Sequence, residues 1–448
     1  MTTHSPAALT SADAAAIVGR LRTTFRTGRT KPLAWRRRQL TRLRELLVEN
    51  ADAIAEALHV DLRKNRAEVD TMEIGGTLRE IDGFLAHLGS WLEPQHVPVP
   101  VHLPHDTAAF TEYDPLGVTL VVSAWNYPVN LLLVPVAGAL AAGNAVVVKP
   151  AEQAAATSAL LAGLLPRYLD NDATAVVVGG AEETALLLAQ RFDHIFYTGN
   201  GTVGRAVMAA AAGHLTPVTL ELGGKSPVFV DRDVDLGVVA ERLVLTKFTN
   251  AGQTCVAPDY ILTDPDTAAA LEPALTAALR ERFGEDPQKS KLYGRIVNER
   301  HFDRLTALLD SGRTVAGGLT DRADRYIAPT ILADVTPDDP VMGEEIFGPV
   351  LPILTVAGPD EAIAFINDRD KPLALYAFTG NATTRRRLAA ETSSGGLTFG
   401  WPMYQLAVSA LPFGGVGASG MGRYRGRYSL ETFSHRKSVL DVPLTQEL

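Results

Sequence analysis

The sequence predicts an α/β protein built on parallel β-sheets with helices on both faces. From residue 116 onward, apolar β-branched segments of strand length alternate with segments of helical length. The same alternation resumes after residue 255, so a second α/β unit is expected. Near-continuous apolar strands separated by helices are typical of parallel sheets that are buried on both faces. The 448 residues allow roughly two to four domains.

The composition disfavours several classes of protein. With 46% hydrophobic and 21% charged residues, the chain has the balance of an ordinary globular protein. The formal net charge of −9 argues against a nucleic-acid partner, because phosphate requires a basic face. No apolar run approaches the roughly 20 residues that span a bilayer, and no signal peptide is recognisable, so we expect no membrane partner. The single cysteine fits a reducing, cytoplasmic location.

The N-terminal part of the chain predicts helices followed by a ribbon. Apolar residues recur at helical spacing in one long helix over residues 32–60 and in another over 68–91. Two extended segments then surround a turn, at 97–101 and 108–113. They are too short for a domain, so we expect either an edge hairpin or an arm that reaches a second subunit.

Strands and helices alternate through the middle of the chain. The predicted strands are 118–122, 145–148, 173–178 and 195–197, and the predicted helices are 130–142, 157–168, 182–190 and 203–212. In such sheets a ligand binds at the carboxyl ends of the strands. The segments at those ends are 125–128, 149–152, 179–180 and 198–204.

A dinucleotide-binding pattern occurs in this region, but in an unusual place. Gly199, Gly201 and Gly204 match G-x-G-x-x-G after a strand, and Glu221 stands where the ribose-binding acid would follow. The match lies in the fourth strand-helix unit, however, whereas the fingerprint belongs to the first. We therefore expect Glu152, just beyond the second strand, to be the ribose carboxylate.

Other nucleotide and hydrolase motifs are incomplete. Gly224-Lys225-Ser226 resembles the end of a phosphate-binding P-loop, but that loop needs a glycine where the chain has Thr219. The sequence contains neither a G-x-S-x-G elbow nor an H-E-x-x-H pair. A nucleotide triphosphatase, a serine hydrolase and a zinc protease are therefore disfavoured, and no metal site is expected.

The second α/β unit follows the only cysteine. Its predicted strands lie at 260–263, around 331, and at 350–356, 374–378 and 396–399, and its predicted helices at 267–283, 299–309, 360–367 and 383–391. Small and polar residues precede Cys255, and Glu221 is followed closely by Gly223 and Gly224. A reachable thiol, a carboxylate and glycine-rich turns indicate covalent chemistry on a carbonyl, although a lone cysteine is most often a small core residue.

Motifs in the same order and spacing resemble those of the aldehyde dehydrogenase superfamily. Residues 220–224 and 248–255 are similar to its two main motifs, and 125–128, 149–152, 344–349 and 411–415 to its others. The segments 215–220, 255–260 and 431–436 resemble its class-three branch. The resemblance covers residues 25–438. It implies a Rossmann-type cofactor domain, an α/β catalytic domain and a small β-ribbon that makes a homo-oligomer, most simply a dimer.

The resemblance also implies roles for individual residues. Cys255 would attack the aldehyde carbon as the thiolate, and the Asn126 amide with the Cys255 N–H would stabilise the oxyanion. Glu221 would be the general base that hydrolyses the thioester, a task for which Glu345 has also been considered in the class-three branch. NAD is the expected cofactor, with NADP also accepted. The residues assigned to it are Trp125, Lys149, Glu152, Gly199, Gly204, Glu345 and Phe347.

The substrate end departs from the branch. The chain has Gly400-Trp401 where Asn-Asp is common, and Gln405 where histidine is frequent. The expected tunnel lining is apolar and contains no cation: Tyr127, Leu245, Met403, Leu406 and Phe413. An aliphatic or aromatic aldehyde is therefore expected rather than a carboxylate-bearing semialdehyde.

The predicted domains follow from the same resemblance. The cofactor domain comprises residues 1–97 and 117–221, the catalytic domain 222–424, and the oligomerisation ribbon 98–116 and 425–448. Two alternatives stay open. A CoA-acylating dehydrogenase would pass the thioester to a thiol instead of water, which the presence of Glu221 disfavours. A catalytically idle cofactor-binding scaffold is disfavoured by the presence of Cys255, Asn126 and Glu221 together.

Overall fold

The computed structural model describes residues 9–444. The outermost parts of two predicted domains, 1–8 and 445–448, lie outside the described residues. Within residues 9–444, no helix combines the length and apolar character needed to cross a bilayer.

Five helices and a π-helical segment form the N-terminal part. The helices are α1 (Ser11–Arg26), α2 (Leu33–Glu49), α3 (Ala51–Leu62), α4 (Arg66–Glu68) and α5 (Gly75–Trp91), and the π-helical segment is Val69–Ile74. The apolar faces of α2, α3 and α5 pack into one core cluster that includes Trp35, Leu43, Leu58, Ile81 and Phe84.

The two long helices predicted here are both interrupted. The prediction of one helix over 32–60 is wrong because Asn50 separates α2 from α3; its side chain amide donates to Leu46 O and to the Tyr168 hydroxyl, which ends the first helix. The helix predicted over 68–91 contains the π-helical segment. A Cβ atom on Gly75 would lie 2.4 Å from Asp70 O, so the glycine permits this irregular turn.

The ribbon differs from its prediction at the first strand. β1 is Gln95–His96 and pairs antiparallel with β2 (Ala108–Pro115). Of residues 97–101, expected to be extended as a strand, Val97 still donates to Ala109 O at 2.9 Å, and residues 98–101 leave the sheet. Pro98 and Pro100 have no N–H group to donate, so this segment cannot continue the ladder.

The middle of the chain alternates strands and helices as predicted. Its elements are β3 (Val118–Val122), α6 (Asn130–Ala142), β4 (Ala145–Lys149), α7 (Ala155–Tyr168), β5 (Thr174–Val176), α8 (Ala181–Leu188), β6 (His194–Thr198), α9 (Gly201–Ala212) and β7 (Val218–Glu221). Every residue of β3, β4 and β6 is buried, because helices cover both faces.

The second α/β unit begins after Glu221. Its elements are β8 (Pro227–Val230), α10 (Leu236–Phe248), β9 (Tyr260–Thr263), α11 (Pro265–Phe283), α12 (Glu299–Thr306), β10 (Arg313–Ala316), β11 (Thr320–Asp321), β12 (Tyr326–Ile327), β13 (Thr330–Ala333), α13 (Pro340–Gly343), β14 (Val350–Thr355), α14 (Pro359–Asn367), β15 (Ala374–Phe378), α15 (Ala382–Glu391) and β16 (Gly396–Phe399). The chain closes with β17 (Gly420–Met421), α16 (Gly426–Thr432) and β18 (Ser434–Asp441).

Three sheets organise these strands, besides the short β11-β12 pair. The first has the order β17-β7-β6-β3-β4-β5 and is parallel except for β17. The second has the order β10-β13-β14-β9-β8-β15-β16 and is parallel except for β10. The third is the antiparallel sheet β1-β2-β18. This arrangement confirms the predicted α/β class with a separate small ribbon.

Candidate active site

Cys255 lies on a strained turn between α10 and β9. Asn250 and Ala251 have positive φ angles of 53° and 51°, and Gly252 follows with φ 74°. Left-handed backbone is costly for residues with a Cβ atom, and such strain clusters at functional sites. The turn brings the half-buried Cys255 against the core of the second sheet.

The side chain of Gln253 holds this turn in place. Its amide nitrogen donates to Asn250 O and to Arg295 O, both at 2.9 Å, and its oxygen accepts from Val297 N at 3.0 Å. Gln253 is fully buried. The glutamine two residues before the cysteine therefore has a structural explanation that sequence reasoning did not provide.

The loop after β3 is bonded to the same turn. Asn126 donates its side chain amide to Gln253 O at 3.1 Å, and Asn250 donates to Asn126 O at 2.9 Å. The Tyr127 hydroxyl lies 3.0 Å from Thr254 Oγ1. The structure thus brings Asn126, predicted from a distant motif, to the backbone that carries Cys255.

We expect Gly252→Ala to distort the turn and impair catalysis. The new Cβ atom would lie 2.2 Å from Gly348 O and would occupy a left-handed conformation. A loss of about 2 kcal/mol or more in the free energy of unfolding is expected, with a larger loss of activity. Urea denaturation and turnover measure both. Gly83→Ala is the matched control, because Gly83 lies within α5 with nothing within 4 Å of its Cβ position; equal effects in both variants would contradict the prediction.

Glu221 ends β7 as a buried carboxylate. It is 2% exposed, and neither carboxylate oxygen has a hydrogen-bond partner among the described residues. Burial raises the pKa of Glu221 well above its usual range, while the charge of Arg425 opposes this rise. Such burial is incompatible with the ribose-binding role that the glycine pattern superficially suggested.

Glu345 approaches from the turn between α13 and β14. A Cβ atom on Gly223 would lie 2.2 Å from Glu345 Oε2, so the glycine allows the two segments to meet. Burial and the nearby Asp259 raise the pKa of Glu345 to about 8. Lys225 donates to Asp259 at 2.5 Å and to Glu344 O, which anchors the turn.

The surroundings of Cys255 favour the neutral form of its thiol. Burial, followed by the charges of Glu345 and Glu221, raises the pKa of the Cys255 thiol to about 12. Because the thiolate is the nucleophile, this environment favours the less reactive form of the cysteine. A positive charge brought beside it would favour the reactive form.

Alkylation of the cofactor-free protein should report this ionisation. Cys255 is the only cysteine, so iodoacetamide labelling has a single target. The rate is expected to rise about tenfold per pH unit between about pH 7 and 9 without a plateau. Glu345→Gln should accelerate labelling mainly above about pH 8, where the wild-type carboxylate becomes charged. A plateau below about pH 9 would contradict the raised pKa.

The residues assigned to the cofactor follow β3, β4 and β6 or lie in the turn between α13 and β14. Lys149 Nζ lies 3.4 Å from Glu152 Oε2 and donates to Pro150 O. The rings of Trp125 and Phe347 meet edge to face with centroids 5.4 Å apart. Gly199 lies against the Tyr197 hydroxyl and Gly204 against Leu222, so both glycines serve close packing.

This donor set fits a nicotinamide dinucleotide. The exposed Val178 and Val203 offer apolar surface after β5 and in the first turn of α9. Glu152, half of whose side chain is exposed, can accept from ribose hydroxyls, and Lys149 can donate to them. The backbone approach of Gly223 to Glu345 leaves no room for a larger residue between the end of β7 and the turn before β14.

The expected tunnel residues do not all contact one another. Met403, Leu406 and Phe413 pack with Cys255 against the second core, whereas Leu245 is half-buried on α10. A cation adjoins two of these residues. The Arg425 guanidinium donates to Leu406 O and lies 5.1 Å from the centre of the Phe413 ring.

Two buried networks that sequence reasoning missed support the site from behind. Lys64 pairs with Glu73 at 2.6 Å, and Glu73 accepts from Val129 N and Asn130 N, which fixes the segment after Asn126. On the other side, Gln405 and Tyr376 form a chain to Val256 O: Gln405 Nε2 donates to the Tyr376 hydroxyl, which donates to Val256 O at 2.6 Å. No local pattern identifies these long-range contacts.

Comparison with known proteins agrees with the site. The family model described as "Aldehyde dehydrogenase family" matches residues 2–439. The mouse protein named "Aldehyde dehydrogenase, dimeric NADP-preferring" is 51% identical over 431 residues, covering 96% of this chain and 95% of its own. Human "Aldehyde dehydrogenase family 3 member B1" is 49% identical over 421 residues, covering 94% and 90%.

Solved structures agree as well. The substrate-bound AldH of Staphylococcus aureus superposes with a TM-score of 0.95 at 43% identity, covering 97% of this chain and 95% of that chain. The fold, the ordered motifs and relatives across nearly the whole length lead to one conclusion. The chain belongs to the aldehyde dehydrogenase family, close to its class-three branch, and is an NAD(P)-dependent aldehyde dehydrogenase.

Proposed function

We propose that this enzyme oxidises aliphatic or aromatic aldehydes to carboxylic acids through a covalent intermediate on Cys255. The observation that carries the proposal is the bonding of the Asn126 loop to the Cys255 turn, with the unpartnered Glu221 carboxylate close enough to influence the thiol. Nucleophile, oxyanion donor and base thus belong to one compact arrangement, as acyl chemistry requires.

The first step forms a bond between Cys255 Sγ and the aldehyde carbon. The thiol proton passes to water, and the carbonyl oxygen becomes an oxyanion that the Asn126 amide and the Cys255 N–H stabilise. Departure of the hydride from the former aldehyde carbon would leave a thioester on Cys255. When bound, the cofactor supplies the hydride acceptor, and its cationic ring favours the thiolate. Glu345 and Phe347 would hold its nicotinamide end, and Lys149 and Glu152 would hold its adenosine ribose. Trp125, Gly199 and Gly204 would contact the cofactor where it runs along the sheet.

Hydrolysis completes the reaction. Glu221 takes a proton from water, the water oxygen bonds to the thioester carbon, and the C–S bond breaks to release the acid and the thiolate. No group in the described part of the chain forms a hydrogen bond with the Glu221 oxygens, which supports Glu221 as the base, since these oxygens can receive the water proton. Glu345 is the alternative base, and NAD is the proposed cofactor, with NADP also used as the mouse relative's name indicates for that protein.

We also propose a cytoplasmic homodimer with the three predicted domains. The eight-residue pairing of β2 with β18 leaves β18 at the edge of the third sheet, with backbone groups available to a second subunit. The name of the mouse relative describes that protein as dimeric. Light scattering behind a sizing column would test the dimer, and a monomeric mass would contradict it.

The direct test is cofactor reduction by the purified protein. NAD and NADP are supplied with aliphatic, aromatic and carboxylate-bearing aldehydes, each with and without CoA. We expect reduction without CoA and higher kcat/KM for the uncharged aldehydes. Activity that requires CoA would replace hydrolysis with acyl transfer to a thiol. Cofactor binding without reduction of any aldehyde would contradict the enzymatic proposal.

A further inference from the structure

Arg425 is a buried cation in the active-site region that the mechanism above does not use. Its residue is 8% exposed, its Nε has no hydrogen-bond partner among the described residues, and none of their carboxylates forms an ion pair with it. Within residues 9–444, its side chain donates one hydrogen bond to the backbone, from Nη1 to Leu406 O at 3.1 Å. Buried charges normally have a partner of opposite sign, so this arrangement calls for an explanation.

The backbone of Arg425 is also strained. Its φ angle is 78°, in the left-handed region that disfavours a residue with a Cβ atom. The conformation is secured by its own N–H, which donates to Ser429 Oγ at 2.8 Å, and by Gly426 N, which donates to Glu80 at 2.8 Å. Strain that the surroundings maintain in this way is characteristic of functional positions.

The same segment packs directly against Glu221. Phe413 and Tyr424 exchange two backbone hydrogen bonds, of 3.0 and 2.7 Å. A Cβ atom on Gly414 would lie 2.3 Å from Gly422 O and 3.1 Å from Glu221 Oε1, so the backbone of Gly414 is enclosed between the carboxylate and the segment leading to Arg425. Tyr424, which directly precedes Arg425, is buried, and the charge of Arg425 opposes the rise that burial causes in the pKa of its hydroxyl.

We infer that Arg425 is a positioning residue that supplies the counter-charge for the Glu221 carboxylate during thioester hydrolysis. The inference rests on the proposed function. A carboxylate with two unpartnered oxygens and a guanidinium with an unpartnered Nε are chemically complementary. Before hydrolysis, Arg425 is retained by Leu406 O and the Phe413 ring; when Glu221 is ionised, the guanidinium stabilises the charge that accepts the water proton.

The other groups that face Glu221 cannot take this role. Among residues 9–444, the further titratable groups whose charges couple to it are the Cys255 thiol and the Tyr424 phenol. Burial raises the pKa of both, so both are neutral near pH 7, and either would become an anion if it ionised. Arg425 is the cation that lowers the pKa of Glu221 in this part of the described chain.

The pH dependence of hydrolysis tests this role. Arg425→Gln should move the acidic limb of kcat to higher pH by about one unit or more, which lowers kcat about tenfold at pH 7. Reduced cofactor should then accumulate in a pre-steady-state burst, because hydrolysis limits turnover. Arg425→Lys should return the acidic limb of kcat most of the way to its wild-type pH. Arg423→Gln is the matched control, because Arg423 is an exposed arginine two positions away that pairs with Glu431.

Each outcome separates this inference from the proposed function. If the wild-type enzyme reduces no cofactor, the proposed function fails whatever Arg425 does. If the wild type turns over and the limb of Arg425→Gln coincides with that of wild type, the inference alone fails. The inference also fails if Arg425→Lys does not return the acidic limb of kcat toward its wild-type pH. If the glutamine variant does not fold, Arg425→His replaces it in the experiment. An imidazole loses its charge near pH 6.5, so the acidic limb of kcat for this variant must also move to higher pH.

Discussion

Replacing Cys255 with alanine is expected to abolish cofactor reduction with every aldehyde. The chain holds no other thiol, so no neighbouring cysteine can form the covalent bond. Loss of a covalent nucleophile typically lowers kcat by about 10³-fold or more. The measurement is the steady-state rate of NADH and NADPH formation, compared with that of wild type over the same aldehydes.

The alanine variant must remain able to bind cofactor for this result to be informative. Cys255 is half-buried at the edge of the second core, so removal of its sulfur should leave the free energy of unfolding almost unchanged. Quenching of tryptophan fluorescence by NADH is expected to match that of wild type, since Trp125 adjoins Phe347 in the assigned cofactor region. Residual turnover within about tenfold of wild type would show that another group forms the covalent bond.

The sequence predicted several regular elements with their observed bounds. The helix Asn130–Ala142 and the strand Tyr260–Thr263 have their predicted bounds, because every residue in them is buried and the apolar pattern is uninterrupted. It failed at Asn50 and at the π-helical segment Val69–Ile74. Both interruptions depend on a few contacts, those of Asn50 with Leu46 O and Tyr168 and that of Gly75 with Asp70 O, which preserve the helical spacing of the apolar residues.

The candidate site shows the same division between local and long-range information. Motifs located Asn126, Glu221, Cys255 and Glu345, and the structure brings their segments to one junction between the two large sheets. Arg425 escaped detection because its proximity to Glu221 depends on a bridge between Phe413 and Tyr424, which no spacing rule encodes. Buried charge partners are a property of the folded arrangement rather than of any segment.

Replacing Glu221 with glutamine is expected to stop the enzyme after the first hydride transfer. Glutamine has nearly the same shape but cannot accept the water proton, so the thioester on Cys255 should persist. Steady-state turnover should fall by about 10²- to 10⁴-fold, while a burst of up to one reduced cofactor per active site remains. Stopped-flow absorbance measures the burst, and mass spectrometry of the acid-quenched protein should detect the acyl group on Cys255.

Glu345→Gln is the matched comparison, because the two carboxylates differ in their surroundings. Glu345 accepts a hydrogen bond from the backbone of Gly224 and lies near the charges of Lys225 and Arg304. At Glu221, the charge of Arg425 is the one that opposes the effect of burial on the pKa. We expect Glu345→Gln to raise the KM for cofactor and to retain the rise of kcat with pH, since Glu221 still has to lose its proton before it can act. Loss of that rise in Glu345→Gln, together with normal turnover in Glu221→Gln, would transfer the role of base to Glu345. Two carboxylates with different neighbours can therefore be assigned separate roles by their pH profiles, one in hydrolysis and one in holding the cofactor.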